Sequence, residues 1–254
     1  MKGYLYKTKP YEHQKEVLDG TWSKKEHALF LEMGCGKSKI LIDNLAWLYQ
    51  QGKIDSVLIV APKGVYNNWV VGEIPDHLPE SIKYDLLKWS PTETKKNQTA
   101  RKEALEPTEN LSFLIMNVEA LSTKKGSKFA FDFLFNKNTL FAVDESTTIK
   151  SPSANRTKNI VRLSKYAQYR RILTGSPVTR SPLDLYTQCE FLDPSLLGYS
   201  SYYSFRARYA EMINRSAGGR SFKQVIGYKR LDELNELLKT FSSRVLKKDC
   251  LDLP

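Results

Sequence analysis

An apolar segment that runs into two glycines and a lysine constrains this chain more than any other feature. Residues 29–31 read Leu-Phe-Leu, residues 32–38 read Glu-Met-Gly-Cys-Gly-Lys-Ser, and an apolar helical pattern begins at Ile40. A strand, a glycine turn and a helix in this order predict a P-loop, whose backbone N–H groups point at phosphate oxygens. We expect Lys37 to neutralise the β- and γ-phosphates and the Ser38 hydroxyl to join a Mg²⁺ shell. Because Leu31 stands where the general pattern has its first glycine, an ordinary glycine turn stays open as an alternative for this segment alone.

A second short segment ends in two adjacent carboxylates. Residues 140–145 read Leu-Phe-Ala-Val-Asp-Glu, which predicts a buried strand followed by an acidic pair. We expect Asp144 to hold Mg²⁺, and Glu145 to orient and deprotonate the water that attacks a γ-phosphate. The alternative is an ordinary helix start, where acids interact favourably with the helix dipole.

Apolar runs rich in Val, Ile, Leu and Phe alternate with amphipathic stretches along the chain. This alternation predicts an α/β fold, a mostly parallel sheet with helices on both faces. The predicted strands are His27–Glu32, Ser56–Ala61, Ile82–Leu87, Ser112–Asn117, Thr139–Asp144 and Arg171–Thr174. The predicted helices are Tyr11–Asp19, Lys37–Gln51, Gly64–Ile74, Arg156–Tyr166, Pro182–Leu192 and Leu231–Thr240.

Two segments interrupt this pattern. Residues 91–110 are polar and charged and are interpreted as a loop. Residues 195–230 are basic and aromatic, with a turn predicted at Gly218-Gly219, and are interpreted as a small helical arm inserted into one domain that spans residues 1–254. We expect the aromatic residues of this arm to pack its helix rather than to stack on bases. They are Tyr199, Tyr202, Tyr203, Phe205 and Tyr209.

The charge balance favours a polyanionic partner. Thirty-nine Lys and Arg against 28 Asp and Glu give a net charge of +11. Residues 146–181 hold eight basic residues and no acid, and residues 195–230 hold seven against Glu211. The three cysteines and three histidines are scattered, which indicates neither a disulfide framework nor a zinc site. Without a signal-peptide or membrane-spanning pattern, a cytoplasmic location is the default expectation, nucleoid-associated or nuclear if the source is eukaryotic.

Further motifs follow one another in a family order. Residues 10–14 (Pro-Tyr-Glu-His-Gln) precede the P-loop segment Met33–Ser38, and residues 58–62 (Leu-Ile-Val-Ala-Pro) precede Asn68-Trp69. The acidic pair continues as Ser-Thr-Thr-Ile-Lys at 146–150, and Leu-Thr-Gly-Ser-Pro follows at 173–177. Together with residues 241–254, these segments resemble superfamily-two helicases, and within them the Swi/Snf-type ATPases that translocate on double-stranded DNA. Thr147 departs from the family, which has histidine at that position.

The resemblance implies a RecA-like first lobe that binds ATP and Mg²⁺, without the second lobe that supplies an arginine to the γ-phosphate. It implies a duplex DNA partner, a second lobe in trans or in the full-length chain, and no membrane. The implied catalytic residues are Lys37, Asp144 and Glu145, with Ser38 and Asp144 at the metal. The implied cofactor-binding residues are Tyr11 and Gln14 at the adenine, with Met33, Gly34, Cys35, Gly36, Lys37 and Ser38 at the phosphates. Thr174 and Ser176 are implied to couple the site to DNA. The candidate nucleic-acid contacts are Lys63, Asn117, Lys150, Arg206 and Arg208.

The favoured hypothesis is therefore the ATP-binding lobe of a DNA-dependent ATPase that moves on or remodels duplex DNA, with weak turnover in the absence of a second lobe. A non-hydrolysing DNA-binding module switched by nucleotide is the main alternative. An RNA helicase lobe and a small-molecule P-loop kinase remain as further alternatives, although a kinase has no use for the segments at 58–69 and 173–177.

Overall fold

A seven-stranded parallel sheet forms the centre of the computed structural model, which describes residues 3–217 and 220–250. Its strand order is β3-β4-β2-β5-β6-β1-β9, and every neighbouring pair is parallel. A separate antiparallel hairpin joins β7 and β8. The strands are β1 (Glu26–Leu31), β2 (Ser56–Ala61), β3 (Tyr84–Lys88), β4 (Leu111–Asn117), β5 (Thr139–Asp144), β6 (Tyr169–Leu173), β7 (Ala210–Ala217), β8 (Arg220–Tyr228) and β9 (Ser242–Val245).

Ten α-helical segments accompany these strands in the described ranges. They are α1 (Glu12–Asp19), α2 (Lys37–Gln50), α3 (Tyr66–Asn68), α4 (Ile74–His77), α5 (Lys95–Glu103), α6 (Lys124–Phe135), α7 (Asn155–Ser164), α8 (Leu185–Leu192), α9 (Tyr202–Tyr209) and α10 (Leu231–Lys239). A π-helical turn at Trp69–Glu73 separates α3 from α4. Short 3₁₀ turns occupy Val118–Ser122, Ser146–Ile149, Pro182–Asp184 and Lys247–Asp249. Within the described ranges, no helix has the length and apolar character needed to cross a membrane.

The sheet is covered on both faces, as the continuous apolar strands predict. Along β2, Leu58 and Val60 contribute to a core under α6, α7 and α8, whereas Val57 and Ile59 contribute to a core under α1 and α2. All six residues of β2 are buried. The alternation of neighbouring side chains between two cores explains why β2 and β5 read as unbroken apolar runs. The predicted α/β architecture is thus confirmed.

Several predicted elements differ from the structure. The loop interpreted at 91–110 contains α5, an exposed helix whose Thr94 caps the N–H of Asn97. The continuous helix predicted for 64–74 is broken by the π-helical turn. Helix α6 was not predicted, because the lysines at its start dilute an apolar stripe that includes Phe129 and Phe133. Strand β9 was not predicted either, because Ser-Ser-Arg-Val carries no apolar pattern and pairs at the sheet edge.

The arm at 195–230 was predicted to be helical, but it combines α9 with the β7–β8 hairpin. Charged and polar residues alternate with apolar ones along the hairpin. Because the segment is also rich in basic residues, the strands could not be recognised from the sequence pattern. Phe205 and Tyr209 are fully buried, which confirms that aromatic residues pack the arm, whereas Tyr203 is 70% exposed. The turn predicted at Gly218-Gly219 lies outside the described residues.

Candidate active site

The sequence motifs meet at one edge of the sheet. Strands β5, β6 and β1 are neighbours and parallel, so their carboxyl ends lie side by side. The P-loop follows β1, the acidic pair ends β5, and Thr174 follows β6. This edge is where open α/β sheets bind their ligands.

The P-loop backbone depends on two glycines in the left-handed region. Gly34 has φ of 90° and Gly36 has φ of 76°, and Gly36 forms the N-cap of α2. A Cβ atom at Gly36 would lie 2.0 Å from Nε2 of Gln14, so a larger residue would have to displace the Gln14 amide in addition to adopting an unfavourable φ. The loop therefore presents the free N–H groups of a 14-residue helix without a side chain in the way, which fits an anion such as phosphate.

Lys37 extends across this loop. Its Nζ donates a hydrogen bond to the carbonyl oxygen of Leu31 over 3.0 Å. The side chain lines the adjoining cleft, so its ammonium group is placed to meet an incoming polyphosphate.

The segment at 10–14 is fixed directly against the P-loop. Gln14 is buried, and its Oε1 accepts a hydrogen bond from the Tyr11 N–H over 3.0 Å. His13 Nε2 lies 3.0 Å from the carbonyl oxygen of Cys35, and the Tyr11 ring stacks on the His13 ring with centroids 5.9 Å apart. Tyr11 is 38% exposed. This arrangement couples the position of Gln14 to the phosphate loop.

Both oxygens of the Asp144 carboxylate accept hydrogen bonds. Oδ2 accepts from the indole N–H of Trp69 over 3.0 Å, and Oδ1 accepts from the backbone N–H of Glu145 over 2.9 Å. Burial raises the pKa of Asp144, and the Glu145 charge adds to this effect, while the Trp69 hydrogen bond opposes it. These two donors fix the orientation of a carboxylate that is suited to a hard cation.

Glu145 adopts an unusual backbone conformation. Its φ of 46° and ψ of 61° place a non-glycine residue in the left-handed region, which is strained. Its Oε2 accepts a hydrogen bond from the Thr174 hydroxyl over 3.2 Å, and that hydroxyl also accepts from the Ser176 N–H over 3.2 Å. The Thr174 hydroxyl therefore bridges the acidic pair, which the sequence assigned to catalysis, and the loop after β6, which it assigned to coupling.

Trp69 and Glu73 join the site from the π-helical turn, and the sequence analysis did not place them there. Trp69 is 1% exposed and reaches Asp144, while the Glu73 carboxyl lies beside the Ser38 hydroxyl. Burial raises the pKa of Glu73, and the nearby Asp144 charge raises it further. The sequence shows only that both residues follow the end of β2, and it does not show which way their side chains point.

An open cleft of about 650 Å³ lies in front of these groups. It is lined by Glu32, Met33, Gly34, Lys37, Glu145, Thr147, Thr174, Gly175, Ser176, Thr179 and Lys247. Thr147, which replaces the family histidine, therefore faces the cleft. Lys247 adds a second cation that the sequence analysis missed, because it reaches the cleft only through the pairing of β9 with β1.

Two of the candidate nucleic-acid residues outside the arm make contacts inside the protein. Asn117 Oδ1 accepts from the Ala120 N–H over 2.8 Å and caps a 3₁₀ turn. Lys150 donates to the Thr179 hydroxyl and lies 3.7 Å from Asp184. These contacts assign Asn117 and Lys150 a structural role.

The two candidate arginines of the arm differ in their contacts. Arg208 pairs with Glu233 of α10 at 2.5 Å, so it fastens the arm to the domain. The Arg206 guanidinium lies 5.2 Å from the centre of the exposed Tyr203 ring and has no acidic partner in the described ranges. Lys63 is exposed after β2 at the same sheet edge as the cleft. Lys63 and Arg206 therefore remain the residues best placed for a polyanion.

Comparisons with known proteins agree with this geometry. Residues 13–254 match the family model described as SNF2-related domain. The human DNA excision repair protein ERCC-6-like is 25% identical over 94% of this chain, and the bovine DNA annealing helicase and endonuclease ZRANB3 is 30% identical over 87% of it. The chain spans 19% of the length of each of these two relatives.

A solved structure shares the fold. The chain aligns over its full length with 48% of a chain from the Sulfolobus solfataricus SWI2/SNF2 ATPase core in complex with dsDNA, with a TM-score of 0.74 and 20% identity. The described topology is thus that of one RecA-like lobe. Since the family model covers nearly the whole sequence, the chain belongs to the SNF2-related domain family.

Proposed function

We propose that this chain is the ATP-binding lobe of a DNA-dependent ATPase that couples Mg-ATP hydrolysis to movement on, or remodelling of, duplex DNA. The observation that carries the proposal is the hydrogen bond from Thr174 to Glu145 beside the P-loop. It joins the carboxylate proposed to activate water to the loop proposed to respond to DNA.

Each residue of the site has a defined task in this proposal. The P-loop amides and Lys37 bind the phosphates, while Gln14 and Tyr11 contact the adenine. Ser38 and Asp144 would hold Mg²⁺, and the ion would supply positive charge that neutralises the phosphates. Glu145 orients the attacking water and accepts its proton.

The negative charge that develops on the γ-phosphate during hydrolysis requires a further positive group, an arginine. An arginine supplied to such a site contributes on the order of 10³ to 10⁵ in rate. We propose that a second RecA-like lobe, in trans or in a longer chain, supplies this arginine and makes turnover efficient. Turnover at full rate by a monomeric chain of these 254 residues would contradict this part of the proposal.

The DNA is proposed to lie along the sheet edge that carries Lys63, with the basic arm and Arg206 beside it. Lys63 and Arg206 would contact the phosphate backbone, so affinity should fall steeply with salt. The protein would then act in a compartment that contains duplex DNA, the nucleoid or a nucleus.

The decisive experiment measures ATP binding and ATP hydrolysis with and without duplex DNA. We expect Lys37→Ala to abolish binding, and Glu145→Gln to preserve binding while abolishing hydrolysis. Lys53→Ala is the matched control, because Lys53 is exposed just before β2 at the opposite edge of the sheet. Duplex RNA and single-stranded DNA serve as competing polymers.

The outcomes separate the alternatives. Stimulation by duplex DNA that disappears in Glu145→Gln supports the proposed ATPase. Nucleotide-dependent DNA binding, together with the absence of any hydrolysis that Glu145→Gln could remove, would favour a non-hydrolysing switch instead. Phosphate transfer to a small molecule without DNA would identify a kinase.

A further inference from the structure

Two cysteines that are far apart in the sequence touch in the fold. Cys35 and Cys250 are separated by 215 positions, yet their Sγ atoms lie 3.4 Å apart. Both are free thiols and both are buried, Cys35 fully and Cys250 to all but 6%. The third thiol, Cys189, is buried in α8 and does not take part in this contact.

The contact depends on how the chain returns to the P-loop. Strand β9 pairs with β1 up to the partners Leu31 and Val245. Beyond the strand, the Glu32 carboxylate accepts from the Lys247 N–H over 2.7 Å, and a 3₁₀ turn carries the chain to Cys250. Cys250 is thereby held against the middle residue of the Gly-Cys-Gly turn.

This geometry points to a redox site: we propose that Cys35 and Cys250 form a reversible disulfide that ties the P-loop to the segment after β9. A disulfide needs its sulfurs at about 2.05 Å, so these sulfurs must approach by roughly 1.4 Å. Gly34 and Gly36 flank Cys35 and give its backbone the freedom for such a shift.

The reaction balances with a hydroperoxide as the oxidant. The thiolate of one cysteine attacks the peroxide and becomes a sulfenic acid as the alcohol or water leaves. The thiol of the other cysteine then attacks this sulfur, forms the S–S bond and releases water. Two thiols are oxidised and one peroxide is reduced, and a dithiol reductant reverses the change.

The structure also sets the pace of this reaction. Burial raises the pKa of Cys250 to about 11, and the neighbouring Cys35 thiol adds to this effect. Few Cys250 thiolates therefore exist at neutral pH, and oxidation depends on local opening of residues 246–250. We expect oxidation over minutes to hours rather than seconds.

The consequence for nucleotide binding rests on the proposed function. The backbone N–H groups beside Cys35 belong to the proposed phosphate-binding loop. In a preorganised site, a displacement on the order of 1 Å can lower the reaction rate up to 100-fold. We expect oxidation to weaken ATP binding about tenfold, and reduction to restore it. A covalent link across 215 positions should also raise the midpoint temperature of unfolding.

The test exposes the purified protein to hydrogen peroxide, followed by peptide mass spectrometry and titration of ATP binding. We expect one linked peptide pair that contains Cys35 and Cys250, with Cys189 still open to alkylation after unfolding. The ATP affinity of Cys250→Ala should not change when the oxidant is added. The ATP affinity of Cys189→Ala, the matched control, should fall on oxidation as much as that of the parent protein does.

Two results would overturn the inference. One is the recovery of both thiols in alkylated form after prolonged oxidation of the folded protein. The other is an equal loss of ATP affinity in Cys250→Ala. If the reduced protein bound no ATP while the linked peptide still formed, the proposed function would fail and the disulfide would stand.

Discussion

The indole N–H of Trp69 donates to Oδ2 of Asp144 over 3.0 Å, and this bond joins the π-helical turn after β2 to the acidic end of β5. Trp69 is thereby a positioning residue for the carboxylate proposed to hold Mg²⁺. Since the same turn follows the segment proposed to face DNA, this bond would connect the proposed DNA site to the proposed metal site.

Trp69→Phe removes this donor while it preserves most of the packing. We expect Mg²⁺ affinity to fall about 10- to 100-fold, as for other residues that orient a metal ligand. We expect the free energy of unfolding to fall by about 1–3 kcal/mol, because Asp144 loses a partner. Calorimetry with Mg²⁺ and nucleotide, together with urea unfolding, measures both quantities.

Trp89→Phe is the matched control for this change. Trp89 is equally buried, but its ring packs on Phe129 with centroids 5.0 Å apart, away from the acidic pair. It should lower stability without changing Mg²⁺ affinity. Equal Mg²⁺ affinity in Trp69→Phe and the parent would show that the indole bond does not position Asp144.

Thr174→Val tests the bridge between Glu145 and Ser176. The substitution removes a hydroxyl that contacts both residues and nearly conserves volume. We expect ATP affinity to change little and DNA-stimulated turnover to fall about tenfold, because a general base loses part of its orientation. Steady-state kinetics with saturating DNA measures the split between kcat and KM.

Thr157→Val provides the comparison for Thr174→Val. The Thr157 hydroxyl is buried in α7 and has no hydrogen-bond partner in the described residues, so its loss should leave kinetics intact. A Thr174→Val protein with unchanged turnover would remove the bridge from the coupling path.

Much of the fold could be predicted from apolar runs. Strands β2 and β5 match their predicted bounds residue for residue, because strands that are buried on both faces are marked along their whole length. Strand β9 was not predicted, because an edge strand needs little apolar character. Its pairing with β1 depends on contacts between residues that are more than 200 positions apart in the sequence. Helix α6 escaped notice because Lys124, Lys125 and Lys128 dominate its first turns.

The candidate site also contains residues that the sequence predicted and residues that it did not. Lys37, Asp144, Glu145 and Thr174 were predicted to act together, and the parallel order of β5, β6 and β1 brings them to one edge. Trp69 could not be placed from sequence alone, because the π-helical turn determines which way its side chain points.

Gly36→Ala tests the contact between the P-loop and Gln14. A Cβ atom would clash with Gln14 Nε2 at 2.0 Å, and the φ of 76° is unfavourable for alanine. We expect a loss of about 1–3 kcal/mol in the free energy of unfolding and a severe loss of ATP binding. Gly64→Ala, where an added Cβ meets no atom within 4 Å, should change neither quantity in urea unfolding and nucleotide titration.

His27 predicts a specific pH dependence of stability. Burial, together with the nearby Arg171 charge, lowers its pKa from 6.5 to about 3. Below pH 6.5 the unfolded chain therefore binds a proton that the folded chain refuses, so stability declines as the pH falls from 6.5 towards 3. The slope is about 1.4 kcal/mol per pH unit, with a total of at most about 5 kcal/mol.

His27→Gln should remove this part of the slope while it retains a partner for the Ser243 hydroxyl, which lies 2.9 Å from His27 Nε2. Urea unfolding of both proteins between pH 7.5 and pH 4.5 gives the comparison. Parallel curves would mean that His27 titrates normally in the folded protein.

The pairing of β9 with β1 also determines how the domain carries mechanical load. A pull applied at Lys247 and directed along β9 would load the hydrogen bonds between the two strands in shear, all together rather than one at a time. The neighbouring strand leads directly into the phosphate loop. Tension applied there would therefore reach the strand that leads into the phosphate loop, and the force needed to detach β9 should depend on whether a nucleotide occupies that loop.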